Sequence, residues 1–271
     1  MEPAAPLTWI ETLARLPVAT VVFAMAGCTV LRLLLASAQQ SRVARFVNNT
    51  LDAIVYAGIL VYLLIRPYLV QPFYIPSESM VPTLQIGDVV MVGKFSYRWS
   101  KPQRFDIVVF RAPDWALRPG QIPGKTDFVK RLIGLPGDVI EVKAGEGLYL
   151  NGKLLKEPYI NGIPQYSMKI IDGIVYEYDD AGNLWKGGPH MMRVDVLDPD
   201  ERQRVFNTPS QPIPPGKYLM LGDNRNNSSD SHHWGLLDAK RVVGKALFVF
   251  WPPSRIGPAN RSPLPEIPRA N

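Results

Sequence analysis

Two long apolar stretches open the chain, and short apolar runs separated by turn residues follow. Leu16 to Ala36 is apolar apart from Thr20, Thr29 and Arg32, and Ala53 to Val70 apart from its tyrosines and Arg66-Pro67. Each stretch is close to the roughly 20 residues that a helix needs to cross a bilayer. The pattern predicts a tail over 1–15, transmembrane helices over 16–36 and 53–71, and a loop over 37–52 between them. Arg32 and Arg66 sit near segment ends, where a long side chain can snorkel. Met1 to Trp9 has no Lys or Arg, so the basic start of a cleavable signal peptide is missing and the first stretch reads as a retained anchor. Arg42 and Arg45 in the loop, with Arg32 close by, outnumber Arg15 and Arg66 on the outer flanks. The positive-inside tendency then puts the loop in the cytoplasm and everything after Val70 outside.

Beyond Val70 the period changes. Asp88–Phe95, Asp106–Phe110, Asp127–Ile133 and Asp138–Val142 are Val- and Ile-rich runs of strand length. Leu148–Leu155 contains Asn151-Gly152, a two-residue hairpin signal. Tyr218–Leu221 and Val242–Trp251 complete the set. The fold class expected is mainly β: an all-β domain of coiled antiparallel sheets over 72–144 and 216–252, a turn-rich inserted β lobe over 145–215, and a loosely ordered Pro-rich tail over 253–271.

Composition narrows the function. The formal net charge is +6, but no dense Lys/Arg stripe interleaved with aromatics occurs, so a nucleic-acid partner is not expected. Weak attraction to anionic membrane lipid suits the charge better. Cys28 is the only cysteine, which excludes an internal disulfide and a cysteine zinc cage.

Three segments carry candidate chemistry. Pro76-Ser77-Glu78-Ser79-Met80-Val81-Pro82-Thr83-Leu84 holds two serines between prolines that restrict the backbone. It follows the second anchor closely, so Ser79 is expected near the membrane surface. In Asp127–Asp138, strand alternation puts Phe128, Lys130 and Leu132 on one face and Val129 and Arg131 on the other. A lysine between Phe and Leu is an edge residue or a partly buried one, and burial lowers an amine pKa. The polar run Gly222–Gly235 has the side chains of a built loop.

Taken together these segments resemble the four sequence boxes of the bacterial type I signal peptidases, a family of Ser-Lys dyad serine proteases. The matching residues are Ser-x-Ser-Met-x-Pro-Thr-Leu from Ser77, Arg-x-Asp-Ile-Val-Val-Phe from Arg104, Val-Lys-Arg-x-Ile-Gly-Leu-Pro-Gly-Asp from Val129, and Gly-Asp-Asn-Arg-x-Asn-Ser-x-Asp-Ser from Gly222. They occur in the family's order after two anchors, and the resemblance covers roughly 72–143 and 217–251. It implies Ser79 as nucleophile, Lys130 as general base, Ser77 as an oxyanion donor beside the Ser79 N–H, and Ser228 as the hydroxyl that orients the lysine. It implies Ile75, Met80, Leu84, Phe128 and Val129 as the lining of apolar substrate pockets, and Asp223 and Arg225 as structural neighbours. Glu78, Asn226 and His232 depart from residues common in the family; His232 stands where some members pair an arginine with the equivalent of Asp230.

The resemblance also implies a membrane-bound endopeptidase of the bacterial inner membrane, with its catalytic domain on the periplasmic side. Its partners are signal peptides of secreted preproteins, cleaved after an Ala-x-Ala-like site, and no metal or organic cofactor is implied. A Ser-His-Asp hydrolase is the first rival, but the histidines are His190, His232 and His233 and no Gly-x-Ser-x-Gly elbow occurs. A self-cleaving Ser-Lys repressor and a non-enzymatic peptide-binding β domain are the others. Neither accounts for the anchors and all four boxes together. Oligomeric state is not readable from the sequence.

Overall fold

The computed structural model describes residues 18–35, 41–61, 70–188, 192–193 and 199–266. Helix α1 spans Val18–Leu35 and α2 spans Arg42–Gly58. The two pack together, and Arg32 pairs with Asp52 at 2.7 Å. Among the described residues no helix is long and apolar enough to cross a membrane. Residues 16, 17, 36 and 62–69 of the expected spans lie outside the described residues, as do the expected tail over 1–15 and residues 37–40. The second helix starts at Arg42 rather than Ala53, so most of the expected loop is helical. The reason is periodic: Val43, Phe46, Val47, Leu51, Ile54 and Val55 recur at helical spacing.

The rest of the chain builds two antiparallel sheets. The first begins with β1 (Val70–Tyr74), β2 (Val89–Gly93), β3 (Ile107–Arg111) and β4 (Asp127–Gly134), with one helical turn, α3 (Ser96–Trp99), between β2 and β3. The second is formed by β5 (Ile140–Lys143), β6 (Gly147–Leu150), β7 (Lys153–Leu154), β8 (Ser167–Ile171), β9 (Ile174–Tyr178), β10 (Leu184–Lys186) and β11 (Met192–Arg193). Helix α4 (Pro199–Asn207) leads the chain back to the first sheet. There it adds β12 (Lys217–Leu221), the turn α5 (Ser231–Trp234), β13 (Leu237–Asp238), β14 (Val242–Trp251) and β15 (Gly257–Pro258). The strand order is β1-β2-β14-β3-β4-β12-β13 in the first sheet, with β15 on β14, and β11-β10-β9-β8-β5-β6-β7 in the second.

The hairpin signal at Asn151-Gly152 is realised: both residues have positive φ, 51° and 78°, as a tight turn between β6 and β7 requires. One core, including Phe105, Ile133, Ile140, Leu148, Tyr159, Met168 and Leu221, joins the two sheets. A second, of Ile75, Met80, Leu84, Val90, Ile107 and Val249 with Val129 against it, lies beneath Ser79. A third, of Val108, Phe110, Leu132, Met220 and Trp234 with Phe128, covers the opposite face of β4.

The alternation expected for β4 holds on both faces, but Arg131 does not reach solvent. Two boundaries also differ from expectation. The lobe's sheet begins with Ile140, which pairs with Leu150, and the lobe contains α4 as well as strands. The tail beyond Trp251 is docked rather than loose as far as it is described. Gly257 and Pro258 pair with β14, Ala259 is buried, and Arg255 grips the buried Asp88 through two bonds of 2.7 and 3.0 Å. Proline-rich composition marked this segment as irregular, but it carried no information about the carboxylate waiting for Arg255.

Candidate active site

Ser79 sits in a single 3-10 turn, Glu78–Met80, entered from an extended Ser77. The polar loop after β12 holds this turn in place. Asn224 donates its backbone N–H to the Ser79 carbonyl at 3.1 Å and its side-chain amide to the Glu78 carbonyl at 3.2 Å. Gly222 allows the close approach: a Cβ there would collide with Oγ of Ser228 and lie 2.5 Å from the Ser79 carbonyl oxygen. The Ser79 side chain is buried, and Nζ of Lys130 lies 2.7 Å from its Oγ. Oγ of Ser77, at the exposed rim, lies 3.3 Å from Oγ of Ser79.

Lys130 comes from the middle of β4 and is only 5% exposed. Burial disfavours the ammonium form and lowers its pKa from 10.5 to about 8, against the pull of Asp230 and Asp223 and with help from the Arg118 cation. Its amine lies 5.8 Å from the centre of the Phe128 ring. Ser228 is buried in the same region, but among the described residues its hydroxyl forms no hydrogen bond to the lysine amine.

Around the pair stand buried charges that hold the loop to the sheets. Arg131 and Asp223 are joined by two bonds, Thr83 donates to Asp223 at 2.5 Å, and the Arg131 guanidinium lies 3.9 Å from the centre of the Tyr159 ring. Arg225 meets Glu157 of the lobe at 2.7 and 2.6 Å. Asp230 accepts from the Gly222 N–H at 2.8 Å and from the His232 ring at 2.6 Å. His232 therefore fills the pairing position that its replacement of arginine had left open. Although burial opposes it, these contacts hold the Asp230 carboxyl well below the usual range. Glu78 faces solvent and accepts from Asn227, and Asn226 bonds Ile163 and Gln165 of the lobe. His190 lies outside the described residues.

A cleft of about 920 Å³ opens over Ser79 and Lys130. Ile75, Met80, Phe128 and Val129 line it, joined by Tyr74, Pro76 and Ile86, with Arg118, Gln121, Lys125 and Asp127 adding polar wall. Leu84 is not in the lining; it is wholly buried in the core beneath. From the sequence, Arg118 was not named, and Arg131 was placed on a strand face without a role. For Arg131 the signal was available, because strand alternation turns it away from Lys130 toward an interior.

A buried lysine amine on a serine hydroxyl, in the wall of an open cleft on a β scaffold, is the arrangement of a serine peptidase that uses lysine as its base. The chain belongs to the family described as signal peptidase, peptidase S26, whose sequence model matches residues 47–251. Among its relatives, "Probable signal peptidase I-2" of Synechocystis sp. is 40% identical over 193 residues, 71% of this chain and 68% of that protein. "Probable signal peptidase I-1" of the same organism is 36% identical over 79% of this chain and 87% of that protein. "Signal peptidase I" of Pseudomonas aeruginosa is 31% identical over 78% and 74%. The chain is thus a serine endopeptidase with a mainly β protease domain.

Proposed function

We propose that this protein removes N-terminal signal peptides from preproteins after an Ala-x-Ala-like site, with Ser79 as nucleophile and Lys130 as general base. The observation that carries the reading is the 2.7 Å contact between Nζ of Lys130 and Oγ of Ser79 inside the cleft. The neutral amine takes the hydroxyl proton as Oγ attacks the scissile carbonyl carbon. The oxyanion that forms is met by the Ser79 N–H and the Ser77 hydroxyl. Collapse leaves an acyl-enzyme, and the lysine ammonium gives its proton to the departing amine. Lys130 then takes a proton from water, which attacks the ester and frees the signal peptide. A small rotation of Ser228 would let its hydroxyl steady the amine through these transfers.

The cleft also supports the substrate's shape. β4 pairs with β3 along Asp127–Arg131, whereas β12 joins β4 only from Arg131 onward. Asp127–Lys130 therefore offers an open edge to an extended peptide, whose alternate side chains point to one face. Ile75, Met80, Phe128 and Val129 would receive small side chains two residues apart.

The same proposal places the protein at a bacterial cytoplasmic membrane through its N-terminal apolar segments, with the β domain on the outer side. Phe23, Leu33, Leu34 and Phe46 all lie exposed on the two helices, which favours an apolar surrounding for them. The test is incubation of the detergent-solubilised protein and its Ser79→Ala and Lys130→Ala variants with a secretory precursor. Cleavage at the signal junction by the wild type and by neither folded variant is expected. Cleavage by either variant sinks the assignment. Protease accessibility of the β domain in intact spheroplasts tests the placement.

A further inference from the structure

Outside the lining of the cleft, a second group of side chains converges that the proposed peptidase reaction does not use. Glu177 of β9 faces His232 and His233 of α5, so the group bridges the lobe and the loop that carries Ser228. Each residue offers one ligand atom, and the three atoms lie within 4.8 Å of one another. Oε2 of Glu177 is 3.8 Å from Nε2 of His233 and 4.0 Å from Nε2 of His232. Both separations are too long for hydrogen bonds. Among the described residues, Oε2 of Glu177 is buried and has no hydrogen-bond partner.

His232 is also oriented from behind. Its Nδ1 is 2.6 Å from Oδ1 of Asp230, and its ring stacks on Tyr166 with centroids 4.2 Å apart and planes 12° apart. A histidine whose Nδ1–H is held by a carboxylate presents a lone pair at Nε2, which is the arrangement that supports metal-ligating histidines.

We propose that Glu177, His232 and His233 form a site for a divalent transition-metal ion of the zinc type, with a fourth position open to water. Two imidazoles and one carboxylate suit such an ion, and Zn–N and Zn–O bonds are about 2.0–2.2 Å long. Ligand atoms around a tetrahedral ion then stand roughly 3.3–3.5 Å apart. Closing the site requires the side chains to move inward by only a fraction of the present gaps. The ion would replace an orphaned carboxylate oxygen with a bonded one. It would also tie the lobe to the loop segment that begins at Asp230, two residues after Ser228. The role is structural, because the ligands lie outside the cleft lining.

The test uses the full chain in detergent, stripped with chelator and titrated with Zn²⁺ by calorimetry, and with Co²⁺ by visible absorption. One saturable equivalent is expected, with d–d bands of a four-coordinate Co²⁺ ion and a higher unfolding temperature in Zn²⁺. Glu177→Gln and His233→Gln should each weaken binding by roughly ten-fold or more. Ser79→Ala should leave it unchanged. His233 is 39% exposed, so its variant is a fair test even if Glu177→Gln disturbs packing. Absence of saturable binding, binding indifferent to both variants, or binding lost in Ser79→Ala would overturn the site.

Discussion

Arg131 and Asp223 meet in a two-point ion pair, Nε to Oδ1 at 2.8 Å and Nη2 to Oδ2 at 2.7 Å, with neither side chain exposed. The pair starts one residue along β4 from Lys130 and ends one residue before Asn224, which bonds the Ser79 carbonyl. It thus connects the strand of Lys130 to the loop that holds Ser79. Removing one partner strands the other charge in the interior. Arg131→Met or Asp223→Leu alone should cost about 3–5 kcal/mol, and the double variant distinctly less than their sum. Urea unfolding of the four proteins measures this. Additive losses would mean that the pair acts as two independent groups.

With Lys130 as the proposed base, its ionisation should set the pH dependence. As the folded enzyme passes through about pH 8 the neutral amine appears, so kcat/KM should rise through that range. A rising limb near pH 6.5 that vanishes in a histidine variant would assign the base to histidine instead.

The same lysine should lower stability. The unfolded chain keeps this proton to about pH 10.5, whereas the folded chain releases it near 8. Between those values the unfolded state binds more protons, so this group's contribution to stability rises with pH across the window. Below pH 8 the contribution is a loss of about 3 kcal/mol. Lys130→Met should therefore be inactive yet melt higher than the wild type at pH 7. A lower melting temperature would show that the bond to Ser79 outweighs the buried charge.

Oγ of Ser77 stands 3.3 Å from Oγ of Ser79, the proposed nucleophile, in reach of an oxyanion on the attacked carbonyl. Loss of one such donor costs on the order of 3 kcal/mol, or about 100-fold or more in kcat. Ser77→Ala should keep its KM and lose turnover, since the hydroxyl is engaged only as negative charge develops. An unchanged kcat would remove Ser77 from the oxyanion site.

Gly222 has no room for a side chain between Ser228 and the Ser79 carbonyl. Gly222→Ala should push the Ser79 turn away from Lys130 and lower kcat by about two orders of magnitude, because misplacement near 1 Å is enough. A normal kcat with unchanged stability would show that the loop accommodates the methyl group freely.

The amino-acid sequence by itself determined the local elements and the ordered motifs. The runs around Val89, Ile107, Lys130 and Val242 are strands because β-branched residues between turn residues favour extended backbone. Asn151-Gly152 is a turn because those two residues tolerate positive φ. Ser79 and Lys130 were legible because they lie inside short motifs, even though 51 positions separate them.

Only the tertiary structure decided which distant groups meet. Arg131 and Asp223 lie 92 positions apart, and Arg255 and Asp88 lie 167 apart. Each charge becomes buried only when sheet pairing closes over it. The lobe's sheet beginning at Ile140 and the docked tail follow from contacts that composition does not record. The same holds for Glu177 beside His232 and His233. Their meeting depends on the lobe's sheet folding back onto the catalytic loop, and strand period and turn chemistry act only over neighbouring residues.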